Sequence, residues 1–106
     1  MSSTVLVIEA YADLRAGIVA ALQRHAYACD AVGCVADAEQ KLRERDYSYV
    51  VVDVDSEESN ELVSTFHADA NVILISDADP RDARANDFAM LRKPFSREEL
   101  LAQFAR

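Results

Sequence analysis

The stretch Tyr49-Val50-Val51-Val52-Asp53 decides the fold, because three consecutive β-branched residues predict a strand that is buried on both faces. The run ends at an ionisable carboxylate. Three other apolar runs also end at polar groups: 5–8 before Glu9, 72–75 before Ser76-Asp77, and 88–91 before Arg92-Lys93. In open α/β sheets, sites are built at the edge where the strands end. We therefore expect a functional site at that edge, around Asp53.

Composition predicts one ordinary domain over residues 1–106, with 51% hydrophobic residues to form its core. The net charge of −8, from 11 basic and 19 acidic residues, argues against binding nucleic acid or an anionic membrane through the overall field. No apolar run approaches the roughly 20 residues of a membrane span, and no signal peptide is visible. Cys29 and Cys34 are expected to be reduced thiols, as in a cytoplasmic protein.

Predicted strands and helices alternate along the chain, which is typical of a βα-repeating domain with a parallel sheet. The strands are Thr4–Ile8, Ala28–Val32, 49–52, 72–75 and 88–91. The helices are 13–25, one that starts near Asp37, 61–67 after a polar loop at 56–60, 79–86, and one after the capping box Ser96-Arg97-Glu98-Glu99. Only alanines form the apolar face of the segment at 79–86, so we predict a shortened fourth helix. Right-handed crossovers then give a doubly wound sheet in the order 2-1-3-4-5.

In that order the first and third strands are neighbours, so Glu9 and Asp53 meet where the strand order reverses. Ser76 then lies beside Asp53, and Lys93 lies one strand further on. A Gly-rich phosphate loop is absent from the sequence, which argues against nucleotide binding of the dinucleotide or P-loop type. The histidines fall at the ends of predicted outer helices and suggest no Ser/His/Asp arrangement, so we do not expect an enzyme.

The chain resembles the receiver domain of bacterial two-component response regulators over essentially its whole length. The resemblance rests on residues 5–9 and 47–54, on Ser76, and on Lys93-Pro94-Phe95 followed by Glu98-Glu99-Leu100. It implies a flavodoxin-like (βα)5 fold. It also implies a histidine kinase or phosphotransfer protein and a downstream protein as partners, and it leaves a homodimer open.

The resemblance assigns roles to individual residues. Asp53 matches the aspartate that accepts a phosphoryl group from a histidine kinase, and Ser76 matches the hydroxyl residue that contacts the acyl phosphate. Lys93 matches the lysine that pairs with the acceptor and then with the phosphoryl oxygens, and the bond before Pro94 is expected to be cis. Glu9 matches the first residue of the acidic pair that positions Mg²⁺.

Departures from the family pattern predict a weakened metal site. The expected metal ligands are Glu9, Asp53 and Asp55. Binding should be weak because Ala10 replaces the second acid of the pair, and a hard cation prefers several oxygen ligands. Asp55 stands where a backbone carbonyl normally binds the metal. The Asp77 carboxylate could have either of two opposite effects. It could supply the missing metal ligand, or it could repel a phosphoryl group.

Two functions from different classes follow from the sequence. The first is an atypical receiver in a phosphorelay, with Asp53 as acceptor and a weakened dependence on Mg²⁺. The second is a pseudo-receiver, a protein-interaction module whose state does not depend on phosphorylation; Ala10 and the shortened fourth helix favour it. A small flavodoxin-like enzyme is a third reading, but it lacks any loop to hold a ligand.

Overall fold

The computed structural model describes residues 3–67, 70–77 and 88–104. Within these ranges the chain forms five strands and four helices. In chain order they are β1 (Thr4–Ile8), α1 (Ala12–Gln23), β2 (Ala28–Val32), α2 (Val35–Glu44), β3 (Tyr49–Asp53), α3 (Glu57–Val63), β4 (Val72–Ser76), β5 (Ala89–Arg92) and α4 (Arg97–Ala102). All five predicted strands are confirmed, each to within one residue.

The strands form one parallel sheet in the order β2-β1-β3-β4-β5, which confirms the predicted order. Ile8 pairs with Val52, and Asp53 pairs with Ile75. This register aligns the C-terminal ends of the four strands that carry the predicted site. Glu9, Asp53, Ser76 and Lys93 are therefore brought to the same edge.

Two hydrophobic clusters cover the two faces of the sheet, because successive residues of a strand point to opposite sides. One cluster joins strand residues to helix residues on one face of the sheet. It consists of Val5, Val7, Val51, Ile73 and Ile75 from the strands, Ile18 and Leu22 from α1, Leu100 from α4, and Phe104 just after α4. The other joins Leu6, Ile8, Val50, Val52 and Leu74 to Ala38, Leu62 and Val63 of α2 and α3. Burial on both faces explains why the three central strands, β1, β3 and β4, are apolar along most of their length rather than alternating.

The helices show where sequence reasoning was wrong. Residues 57–60, predicted to be part of a loop, are helical, and α3 ends at Val63 rather than His67. The Ser56 side chain accepts a hydrogen bond from the Ser59 N–H, which caps the helix, and two acids in its first turn suit the positive end of the helix dipole. The capping box at Ser96 and Glu99 is confirmed.

The predicted shortened fourth helix, 79–86, lies outside the described residues. None of the described helices has the length and apolar character needed to cross a membrane.

Candidate functional site at the C-terminal edge of the sheet

One ammonium group joins three carboxylates at the C-terminal edge of the sheet. Lys93 Nζ lies 3.0 Å from Asp53 Oδ2, 3.3 Å from Glu9 Oε1 and 3.8 Å from Asp55 Oδ2. The side chain of Lys93 is 11% exposed, that of Asp53 14%, and that of Glu9 fully buried. The structure thus brings together Glu9, Asp53 and Lys93, as the strand order predicted.

Hydrogen bonds to or from the backbone fix the positions of Lys93 and Glu9. The Lys93 N–H donates to the Ser76 carbonyl oxygen at 2.8 Å, and the bond between Lys93 and Pro94 is cis, as the resemblance implied. On the other side, the Glu9 N–H donates to the Val32 carbonyl oxygen at 3.1 Å. A guanidinium N–H of Arg15 donates to the Glu9 carbonyl oxygen at 2.8 Å. Arg15 of α1 therefore fixes the end of β1 through this hydrogen bond.

The ionisation of the three groups differs with their surroundings. Burial, together with the neighbouring Asp53 carboxylate, raises the pKa of Glu9 to about 7. Burial acts in the same direction on the pKa of Asp53, but the Asp55 N–H, Glu9 and Lys93 hold that pKa below its usual value. Burial opposes the charge of Lys93, yet its two carboxylate partners raise its pKa overall. At neutral pH Asp53 is an anion beside a cation, and Glu9 is partly protonated.

Asp55 links the end of β3 to the end of β4. Its N–H donates to Asp53 Oδ1 at 2.9 Å, and its carboxylate accepts from the Ser76 hydroxyl. The Asp77 N–H also donates to that carboxylate, at 3.2 and 3.1 Å from its two oxygens. The structure therefore brings Ser76 to the site, but its hydroxyl hydrogen bonds to Asp55.

The described residues do not fit a preformed Mg²⁺ site. Among residues 3–67, 70–77 and 88–104, no group of three or more His, Cys, Asp or Glu side chains is arranged to hold a metal ion. The predicted ligands Glu9, Asp53 and Asp55 surround the Lys93 ammonium instead. Ala10 lines a cavity of about 250 Å³ that Asp53 also lines, so a carboxylate is missing where the acidic pair would be completed.

Three groups of the site were not predicted from the sequence. They are the Arg15 guanidinium, the Asp77 N–H, and the Tyr11 ring, whose centroid lies 5.6 Å from Lys93 Nζ. A backbone N–H leaves no signal in a sequence. The sequence signal for Tyr11 is an aromatic residue two positions after Glu9; in the structure 70% of its surface is exposed.

The arrangement provides a nucleophilic oxygen and groups that bind an anion. Asp53 is ionised and partly exposed, so one of its oxygens can attack an electrophile that approaches the edge. The Lys93 ammonium, the Ser76 hydroxyl and the Asp77 N–H are donors suited to negatively charged oxygens. This chemistry suits transfer of an anionic group onto Asp53.

Neither models of protein families nor curated proteins match this chain. Solved structures, in contrast, match almost all of it. The chemotaxis response regulator CheY4 of Vibrio cholerae has a TM-score of 0.84 at 19% identity, covering 100% of this chain and 98% of that one. A CheY-like receiver domain from Methylobacillus flagellatus has a TM-score of 0.82 at 17% identity, covering 99% and 98%.

A third structure of this kind is the response regulator TrrA of Thermotoga maritima in complex with Mg²⁺ and BeF. Its TM-score is 0.80 at 22% identity, and the match covers 99% of this chain and 97% of that one. At these identities the likeness shows a shared fold. The chain therefore has the fold of CheY-like response-regulator receiver domains, which confirms the predicted flavodoxin-like architecture.

Proposed function

We propose that the chain is a receiver domain of two-component signalling and that it accepts a phosphoryl group on Asp53. The observation that carries this proposal is the pair formed by Asp53 and Lys93, 3.0 Å apart at the C-terminal edge of a receiver-type sheet. Of the two carboxylates closest to Lys93, Glu9 is fully buried and Asp53 is 14% exposed, so a donor can reach Asp53 but not Glu9.

The proposed step is an in-line displacement at phosphorus. An oxygen of the Asp53 carboxylate attacks the phosphorus of a donor such as acetyl phosphate and forms a new O–P bond. The bond between phosphorus and the acetate oxygen breaks, and acetate leaves with the electron pair. Such transfers depend mainly on positioning and on neutralising the phosphoryl oxygens, and the Lys93 ammonium supplies a cation for this.

Mg²⁺ belongs to the proposal only as a weakly bound ion. Ala10 supplies no carboxylate, and the acids that are present already share the Lys93 ammonium. The chain's own residues can hold Asp53 and receive the phosphoryl charge, so we expect phosphorylation with a weakened dependence on Mg²⁺.

The proposed partners follow from the proposed activity. A histidine kinase or a histidine phosphotransfer protein would supply the phosphoryl group, and a downstream protein would bind the phosphorylated domain. We place these interactions in the cytoplasm, where such kinases present their phosphohistidine. The domain would act as a switch rather than as an enzyme that turns over a substrate.

A pseudo-receiver is the second candidate function. The observation that favours it is the engagement of the Ser76 hydroxyl and the Asp77 N–H by Asp55 in the unphosphorylated chain. In this function the domain binds a partner protein through a surface whose conformation does not respond to phosphorylation.

One experiment decides between the two functions. The protein is incubated with acetyl phosphate and Mg²⁺, and its intact mass is measured. The receiver function requires a gain of one phosphoryl group that is absent in Asp53→Asn and retained in Asp37→Asn, a matched change on the exposed side of α2. If neither acetyl phosphate nor a cognate kinase produces that gain, the pseudo-receiver function stands.

A further inference from the structure

Three hydrogen-bond donors converge at the ends of β4 and β5. They are the Ser76 hydroxyl, the Asp77 N–H and the Lys93 ammonium. A hydroxyl, a backbone N–H and an ammonium together suit a multivalent oxyanion, because each can donate to a different oxygen. All three face the Asp55 carboxylate: two donate to it, and Lys93 Nζ lies 3.8 Å from Oδ2. An acidic side chain of the chain itself thus fills an oxyanion site.

The backbone places Asp55 directly beside the acceptor. Its N–H donates to Asp53 Oδ1 at 2.9 Å, so residue 55 is held over the same edge as the Asp53 carboxylate. The Asp55 side chain is 33% exposed, whereas Ser76 is 1% exposed. Of the groups in the site, Asp55 is therefore the one that can turn away toward solvent while the donors stay in place.

We infer that Asp55 is an internal competitor of the phosphoryl group: its carboxylate fills the oxyanion site in the unphosphorylated chain and must leave when Asp53 is phosphorylated. This inference rests on the proposed function. A phosphoryl group on Asp53 would bring up to about two negative charges and three acceptor oxygens to the same donors. Asp55 would repel that charge and compete for the Ser76 hydroxyl, the Asp77 N–H and Lys93.

Competition predicts that removing Asp55 speeds phosphorylation. The initial rate of mass gain with acetyl phosphate is measured for the parent protein, Asp55→Ala and Asp55→Asn. We expect Asp55→Ala to react about tenfold faster, since hydrogen bonds to charged groups are worth at least that factor. Asp55→Asn keeps an amide oxygen for the Ser76 hydroxyl, so its gain should be smaller. Glu61→Ala, which removes one exposed acid from α3, should match the parent.

A metal ligand or a supporting residue at position 55 would give the opposite result. Slower phosphorylation of Asp55→Ala, or equal rates in the parent and both Asp55 variants, overturns the inference. Thermal denaturation of each variant shows that the rates refer to folded protein.

A binding measurement separates this inference from the proposed function. Beryllium fluoride with Mg²⁺ is titrated into the parent and Asp55→Ala, and the Asp77 amide resonance is followed by NMR. Competition requires saturation at about tenfold lower concentration in Asp55→Ala, whether or not acetyl phosphate reacts. If that tighter binding appears and no protein is phosphorylated, the proposed function fails and the competitor role of Asp55 stands. Equal affinities overturn the competitor role.

Discussion

Lys93 Nζ lies 3.0 Å from Asp53 Oδ2, although the two residues are 40 positions apart in the sequence. The same ammonium also lies 3.3 Å from the fully buried Glu9. Two carboxylates with little access to water therefore depend on one cation. Removing that cation leaves buried charge without compensation, which costs more than an exposed ion pair is worth.

We predict that Lys93→Met lowers the free energy of unfolding at pH 8 by about 3 kcal/mol, because Asp53 and Glu9 lose their shared cation. Urea denaturation measures this loss. The matched control is Lys41→Met, since Lys41 is 4.0 Å from Glu44 on the exposed surface of α2 and should contribute less than about 0.5 kcal/mol. Equal losses in the two variants would show that Lys93 has only a surface role.

The raised pKa of Glu9 predicts a pH dependence of stability. Its pKa is about 7 in the folded chain against 4.5 as the ordinary value, so the folded state holds the proton more tightly. The stability from this group is fully present below pH 4.5 and is lost as the pH rises through 7. Asp53, with its lowered pKa, contributes the opposite sign, but only as the pH falls below its ordinary value of 3.8.

The test compares the parent with Glu9→Gln by urea denaturation at pH 5 and pH 8. Between these values the parent should lose up to about 3 kcal/mol more than the variant. Glu61→Gln, on the exposed face of α3, should follow the parent. Parallel pH profiles for the parent and Glu9→Gln would contradict the assignment.

A side chain at position 33 is predicted to weaken the contact between Arg15 and Glu9. A Cβ at position 33 would lie 2.9 Å from Arg15 Nη1, which donates to the Glu9 carbonyl oxygen at 2.8 Å. Gly33 has no positive φ, so its effect comes from this contact. We expect Gly33→Ala to cost about 1 kcal/mol, the worth of one hydrogen bond. In an Arg15→Ala background the cost should vanish, and a double-mutant cycle that adds without coupling would refute the contact.

In contrast, replacing Gly17 in α1 with alanine is predicted to stabilise the fold. It is exposed, and a Cβ built there meets no atom within 4 Å. Because glycine is about 1 kcal/mol less favourable than alanine inside a helix, Gly17→Ala should raise the unfolding free energy by 0.5–1 kcal/mol, roughly. Ala16→Gly, the reverse change at the exposed neighbouring position, should lower it by a similar amount. Loss of stability in Gly17→Ala would mean that position 17 has a constraint other than helix propensity.

Ala10→Asp is predicted to strengthen Mg²⁺ binding. Ala10 lines the same cavity of about 250 Å³ as Asp53, so a carboxylate there would complete the acidic pair beside the acceptor. Calorimetric titration should give a lower Kd for Mg²⁺ in the variant than in the parent. An unchanged Kd would show that position 10 does not face a metal.

Much of the fold could be predicted because its signal is local. Continuous apolar runs such as 72–75 predict strands buried on both faces, and alternation with helices leaves few allowed topologies. The helix bounds were harder to predict. The segment from Ser56 to Asn60 is polar enough for a loop. Hydrogen bonds from the Ser59 N–H to the Ser56 hydroxyl and from the Asn60 N–H to the Ser56 carbonyl oxygen make it the first turn of α3.

The sequence by itself determined the sheet order and the presence of Glu9, Asp53, Ser76 and Lys93 at one edge, because each of these residues lies just after the end of a predicted strand. Only the tertiary structure decided what Asp55 does. Its carboxylate accepts hydrogen bonds from donors 21 and 22 positions away, both at the end of β4. A short polar side chain in a connection takes its direction from such donors, and no local pattern in the sequence encodes them.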